Sequence, residues 1–231
     1  MKQLLITTGP QGSGNHLWSK IASHTPGVQG WEQLTQEYFV HHGREPFREI
    51  WRNPGLFSKV EWTEQYYVTN QSCPMGGFNS SLSSAPTFSP TFFPKFDEFI
   101  SEARKAGFNV TLAVIGRDTN ILSHQQQRLR GQVTTPQFLD TLDNVLMKHN
   151  PVFISTEMLY LYRDRYISQV SKLLNFPLKV DSVVLDEILK EDSNKKYIHP
   201  VENHWLDDMH IEALRAPSNS SYPSHIERLL K

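Results

Sequence analysis

The sequence predicts an α/β fold with a central, mostly parallel sheet flanked by helices, on three observations. Apolar, strand-like runs recur along the chain: "QLLITT" at 3–8, "NVTLAVIG" at 109–116 and "PVFIST" at 151–156. Segments with helical spacing lie between them, and a glycine-rich turn, "GPQGSG", leads from the first strand into the first helix. Strands that alternate with helices read as crossover units, which make neighbouring strands parallel and gather ligands at the strands' carboxyl ends.

The elements follow in chain order. The first helix runs from about Asn15 to His24 and is stopped by "TPG". An aromatic and charged segment spans Trp31 to Trp62, followed by a short strand "QYYVTN" at 65–70. The Ser/Pro/Phe-rich stretch 73–94 carries too much proline and glycine for regular structure. Its phenylalanines are too apolar for a free linker, so it reads as a long loop packed on the body. Residues 95–106 place Phe96, Phe99, Ile100 and Ala103 on one helical face, and Gly107 ends that helix. After the strand at 109–116 a glycine opens "RDTNILSHQQQRLRG". Pro136 starts a helix to about His149, and a Tyr-rich helix runs from about Tyr160 to Leu174. No internal repeat is visible, and 231 residues suit one α/β domain spanning 1–231.

Composition narrows the function classes. A net charge of −1 supplies no overall attraction to nucleic acid or to an anionic membrane, so any anion site must be local. The one cysteine, Cys73, excludes an intrachain disulfide and reads as a buried thiol. The start of the chain lacks a secretory pattern, and no apolar run reaches membrane-spanning length, so the expectation is a cytoplasmic chain without a membrane anchor. The N-x-S/T sequons at Asn70, Asn79, Asn109 and Asn219 are then chance occurrences. No histidine pair has H-x-H or H-x-x-x-H spacing, and no metal site is expected.

The turn after the first strand carries the chemistry. Gly9, Gly12 and Gly14 let the backbone turn tightly, so that N–H groups of residues 12–16 can converge on one anion at the helix N-terminus. A phosphate or a sulfate suits that geometry, although a Gly-rich turn that binds nothing has the same composition. The nucleoside-triphosphate pattern G-x-x-x-x-G-K-[ST] requires lysine and a hydroxyl where this chain has Asn15 and His16. Arg117 follows a buried strand and a glycine, a natural place for bidentate phosphate contact or for a structural pair with Asp118 or another carboxylate. Transfer of a group carried by such an anion to a hydroxyl needs a base for the acceptor proton and donors on the transferring group. Glu32, beside Trp31, is the candidate base, and His16 the candidate donor from the first helical turn.

In these segments the chain resembles the sulfotransferase superfamily. "GSGNHLW" is similar to that family's [KR]-S-G-T-[TS] loop after the first strand, "SHTPGVQGWE" to the segment that ends in an acidic residue, here Glu32, and "VIGRDTNILSHQQQR" to the later Arg…Ser pair. "FISTEMLYLYRDRYISQVSKLLNFPL" resembles a late helix of the family and "DSNKKYIHPVE" its terminal basic loop. The resemblance implies a three-layer P-loop-like fold and 3′-phosphoadenosine 5′-phosphosulfate as co-substrate, without a metal. It further implies a cofactor site made of Gly12, Ser13, Gly14, Asn15, His16, Arg117, Ser123, Lys195 and Lys196. The chain departs from the pattern at Gly12, where the family has a cation, and at Gln125, where it has the serine eight residues after the arginine. The acceptor expected is a small molecule or a carbohydrate, bound among aromatic side chains. A nucleotide-dependent phosphotransferase and a catalytically silent nucleotide-binding protein are the alternative readings.

Overall fold

A computed structural model describes residues 1–30, 47–75 and 92–191. The chain divides into two units, Met1–Asn194 and Lys195–Lys231, and the second lies outside the described residues. The first unit is a three-layer α/β structure. Its strands are β1 (Lys2–Gly9), β2 (Val28–Gln29), β3 (Tyr66–Ser72), β4 (Phe108–Gly116) and β5 (Val152–Ser155). Its α-helices are α1 (Asn15–Ser23), α2 (Phe47–Arg52), α3 (Phe96–Lys105), α4 (Thr119–Arg130), α5 (Thr135–Asn144), α6 (Thr156–Leu174) and α7 (Ser182–Glu191). Among the described residues these strands pair in parallel, in the order β2-β3-β1-β4-β5.

The apolar strand runs are explained by burial on both faces. Leu4 and Ile6 of β1 and Leu112 and Val114 of β4 point into one core, shared with Phe47, Trp51, Phe96, Phe99 and Phe138. Leu5 of β1 and Ala113 and Ile115 of β4 point into the other, shared with Trp18, Ile21, Ile167, Val170 and Leu185. Helices α2, α3 and α5 therefore cover one face and α1, α6 and α7 the other. The four apolar positions expected on the helix after residue 95 are the four that α3 buries: Phe96, Phe99, Ile100 and Ala103. Phe99 stacks on Trp51 with ring centroids 3.6 Å apart and meets Phe57 edge-on, while Trp51 Nε1 donates to Thr69 Oγ1 at 3.0 Å. Phe99→Ala is expected to cost about 3–5 kcal/mol, the range for deleting a fully buried aromatic ring, read as a lowered urea midpoint at unchanged slope.

Three elements differ from the sequence-based expectation. The helix expected from Pro136 to His149 is broken at Val145 (φ −124°, ψ −60°) and continues as a 3-10 turn over Leu146–His149. Helix α6 starts directly from β5 at Thr156 rather than near Tyr160, because Ser155 Oγ accepts from the N–H of Met158 and caps it. The segment Trp31–Trp62 contains α2 and a 3-10 helix over Pro54–Lys59, both held by packing of Phe47, Trp51 and Phe57. Within 73–94, Met75 and Phe92 exchange backbone hydrogen bonds, and residues 76–91 lie outside the described residues. Among the described residues no helix is long and apolar enough to cross a membrane.

The topology selects one edge of the sheet. From β1 the chain passes to β2 and β3 on one side, and from β4 it passes to β5 on the other. Between β1 and β4 the chain order reverses, and in open parallel sheets that point leaves a crevice at the carboxyl ends of the strands. The glycine-rich turn and Arg117 both lie there.

Candidate functional site

The turn from Gly9 to Asn15 has a shape that only glycine permits at two places. Gly12 and Gly14 have φ of 90° and 104°, in the left-handed region. Space is also closed: a Cβ on Gly12 would stand 2.7 Å from Gln125 Oε1, and one on Gly14 2.8 Å from Thr156 Oγ1.

Every carbonyl from Gly9 to Gly14 accepts a hydrogen bond. Gly9 O takes the N–H of Cys73 at 3.0 Å and Nδ2 of Asn15 at 3.3 Å. Pro10 O takes the N–H of Ser13 at 3.1 Å, and Gly14 O that of Trp18 at 3.0 Å. The three between them are held by side chains from distant parts of the chain. Gln126 Nε2 donates to Gln11 O at 2.7 Å, Arg117 Nη1 to Gly12 O, and Thr156 Oγ1 to Ser13 O at 2.6 Å. With these carbonyls engaged against the protein and the Ser13 N–H on Pro10 O, what the turn can present to a ligand is the N–H groups of Gly12 and Gly14.

Those N–H groups lead into the first turn of α1, where helix geometry leaves amides without intrahelical acceptors. Gly14 is the N-cap residue, supplies no side-chain cap, and no acidic residue stands in the first turn. The partial positive charge of the helix end is therefore uncompensated by protein carboxylates within α1, which favours an anion at this place.

The sequence-predicted residues divide into three groups. Gly12, Ser13, Gly14 and Asn15 form the turn, and His16 is half-buried on the first turn of α1. The Asn15 side chain faces the sheet edge: besides Gly9 O, its amide bonds Ser72 Oγ at 3.0 Å at the end of β3. Arg117 reaches the turn with its side chain fully enclosed. Its Nη1 faces Gly12 O and, at 3.2 Å, Gln125 Oε1, while Nε lies 4.0 Å from Glu157 Oε1. The carboxylate beside it is thus Glu157, and Asp118 instead caps α4 by accepting from the N–H groups of Asn120 and Ile121. Ser123 is half-buried on α4. The contact to Arg117 comes from Gln125, eight residues after it, where the resemblance expects the serine. Glu32, Lys195 and Lys196 lie outside the described residues.

Sequence reading missed Thr156 and Gln126. Thr156 is 1% exposed and Gln126 fully buried. Gln126 Oε1 also accepts from the N–H groups of Thr134 and Thr135, at 2.7 and 3.2 Å, so the side chain ties the α4–α5 connection to the glycine turn. The only sequence signal for Thr156 was its place at the carboxyl end of an apolar strand run, and for Gln126 there was none. Cys73 is fully buried, and desolvation pushes its thiol up to about 11 against a weaker lowering by the Thr141 side chain. It stays a neutral thiol near pH 7, unsuited to nucleophilic work. Among the described residues no group of His, Cys, Asp and Glu side chains is gathered so as to hold a metal ion.

No protein-family model matches the chain, and no curated protein matches it. Among solved structures it is similar to the mouse sulfotransferase SULT7A1 complexed with PAP. The identity is 13%, the match covers 94% of this chain and 86% of that chain, and the TM-score is 0.40.

Proposed function

We propose that the chain is a sulfotransferase-like enzyme that binds 3′-phosphoadenosine 5′-phosphosulfate and transfers its sulfuryl group to an acceptor hydroxyl. The observation that carries the reading is the turn from Gly9 to Gly14, in which each carbonyl is engaged by the protein. The N–H groups of Gly12 and Gly14 stand beside a helix start without a side-chain cap, a setting that suits a phosphate or sulfate oxygen.

Two features favour a phosphosulfate over a magnesium nucleoside triphosphate. The sequence has neither the lysine nor the hydroxyl that the triphosphate loop uses. Asn15, at the lysine's place, directs its amide to Gly9 O and Ser72. In this reading the amides of residues 12–16 other than Ser13, whose N–H bonds Pro10 O, hold the 5′ end, and His16 donates to the oxygen that leaves sulfur. Ser123 contributes to the nucleotide site, and Arg117 acts on it through the turn. The co-substrate supplies an activated sulfuryl group: a bond forms from the acceptor oxygen to sulfur as the bond to the bridging phosphate oxygen breaks. Glu32 receives the acceptor proton, and the nucleotide product is 3′-phosphoadenosine 5′-phosphate. The acceptor is a small molecule or a carbohydrate, and the setting is cytoplasmic.

Thermal unfolding with added nucleotide tests the reading. At about a hundred times Kd, 3′-phosphoadenosine 5′-phosphate is expected to stabilise the chain by about 2.7 kcal/mol, a rise in Tm of roughly 5–10 °C. A larger rise with magnesium-ATP would favour phosphotransfer. No rise with either nucleotide at millimolar concentration would remove the enzyme reading.

A further inference from the structure

The turn's own hydrogen bonds, Ser13 N–H to Pro10 O and Asn15 Nδ2 to Gly9 O, do not fix all of its peptides. Its three inner carbonyls, those of Gln11, Gly12 and Ser13, point outward onto donors contributed by α4, the end of β4 and the start of α6. We infer that Thr156 is a positioning residue for the anion site, its hydroxyl setting the orientation of the Ser13–Gly14 peptide so that the Gly14 N–H faces the anion. The inference rests on the nucleotide reading above for the identity of the ligand, but its geometry stands apart from it.

A peptide unit is planar, with its carbonyl and N–H directed oppositely. Fixing Ser13 O on Thr156 Oγ1 at 2.6 Å therefore fixes where the next N–H points, that of Gly14. The same hydroxyl fills the space a Cβ at Gly14 would take, 2.8 Å away, so Gly14 and Thr156 interlock. Gln126 does the same to the Gln11–Gly12 peptide, with its other end bonded to Thr134 and Thr135. Thr156 is the sharper lever because its hydroxyl makes one contact and its residue is 1% exposed. Losing the donor leaves Ser13 O buried without it, and the peptide then gains by rotating toward another partner. That rotation removes the amide from the site before any ligand arrives, which is a loss of preorganisation rather than of a contact.

The experiment compares wild type with Thr156→Val, Thr156→Ala and Thr156→Ser. Valine is nearly isosteric but sets a methyl against Ser13 O, and alanine removes the donor without that crowding. Affinity for 3′-phosphoadenosine 5′-phosphate is read by calorimetric titration, and exchange of the Ser13 amide, bonded to Pro10 O, by NMR without ligand. Val and Ala are expected to weaken binding about tenfold and to speed Ser13 exchange about tenfold, while Ser restores both to within about threefold of wild type. A wild type that binds the nucleotide with Val and Ala affinities equal to it would overturn the inference and leave the nucleotide reading intact. A wild type that fails to bind overturns the nucleotide reading. In that case exchange decides: faster in Val and Ala and restored in Ser supports the inference, and unchanged exchange overturns it.

Discussion

Gly14→Val is expected to abolish nucleotide binding, a loss of at least about a hundredfold, in a chain that still folds. A β-branched residue at φ 104° sits outside its allowed backbone regions, a strain of about 1–3 kcal/mol. Its Cβ would also stand 2.8 Å from Thr156 Oγ1, an approach that neither partner can hold. The turn relieves both by moving, and in doing so it releases Ser13 O from Thr156 and disperses the amides that face the anion. The sheet beneath is unaffected, because the pairing of β1 with β3 and β4 is complete by Gly9. Calorimetric titration with 3′-phosphoadenosine 5′-phosphate checks the first part and circular dichroism the second. Wild-type affinity in a folded Gly14→Val chain would remove the turn from the binding site.

Arg117→Met is expected to act on stability and on binding together. The guanidinium is fully enclosed, bonded to Gly12 O and Gln125 Oε1 and 4.0 Å from Glu157, whose side chain is 36% exposed. Breaking a buried charge pair costs about 3–5 kcal/mol when the remaining partner is left dry. The exposure of Glu157 lets water take over part of that, and about 2–3 kcal/mol is the expected loss, or roughly 5–10 °C in Tm. Because the side chain meets the site through Gly12 O, affinity should fall by a similar factor, about tenfold, for adenosine 3′,5′-bisphosphate and for adenosine 5′-phosphosulfate. Titrations with both nucleotides decide it. A loss confined to the bisphosphate would assign Arg117 a direct contact with the 3′-phosphate instead.

Much of the frame is legible in the sequence because strand burial on two faces writes itself as uninterrupted apolar runs. "QLLITT", "NVTLAVIG" and "PVFIST" became β1, β4 and β5, and the helical period after residue 95 identified the buried face of α3. Short elements were not legible. Helix α2 is six residues long, too short to carry a period, and is held by Phe47 and Trp51 against β3 and α3. The end of α5 at Val145 is likewise a backbone event with no proline or glycine to announce it.

The site divides in the same way. Sequence alone determined that a glycine-rich turn joins the first strand to the first helix without the lysine and hydroxyl of a triphosphate loop. It determined this because backbone conformations with positive φ demand a residue type that can be read directly. It also put Arg117 at the carboxyl end of a buried strand. Only the tertiary structure decided that Arg117 faces the turn's own carbonyl, that Gln125 stands beside it, and that Thr156, 143 residues from Ser13 in the chain, holds the turn in shape. Such contacts join a side chain to a backbone carbonyl. Every residue has that acceptor, so its position leaves no mark on composition, spacing or periodicity, and only the folded chain selects which one a given threonine or glutamine will meet.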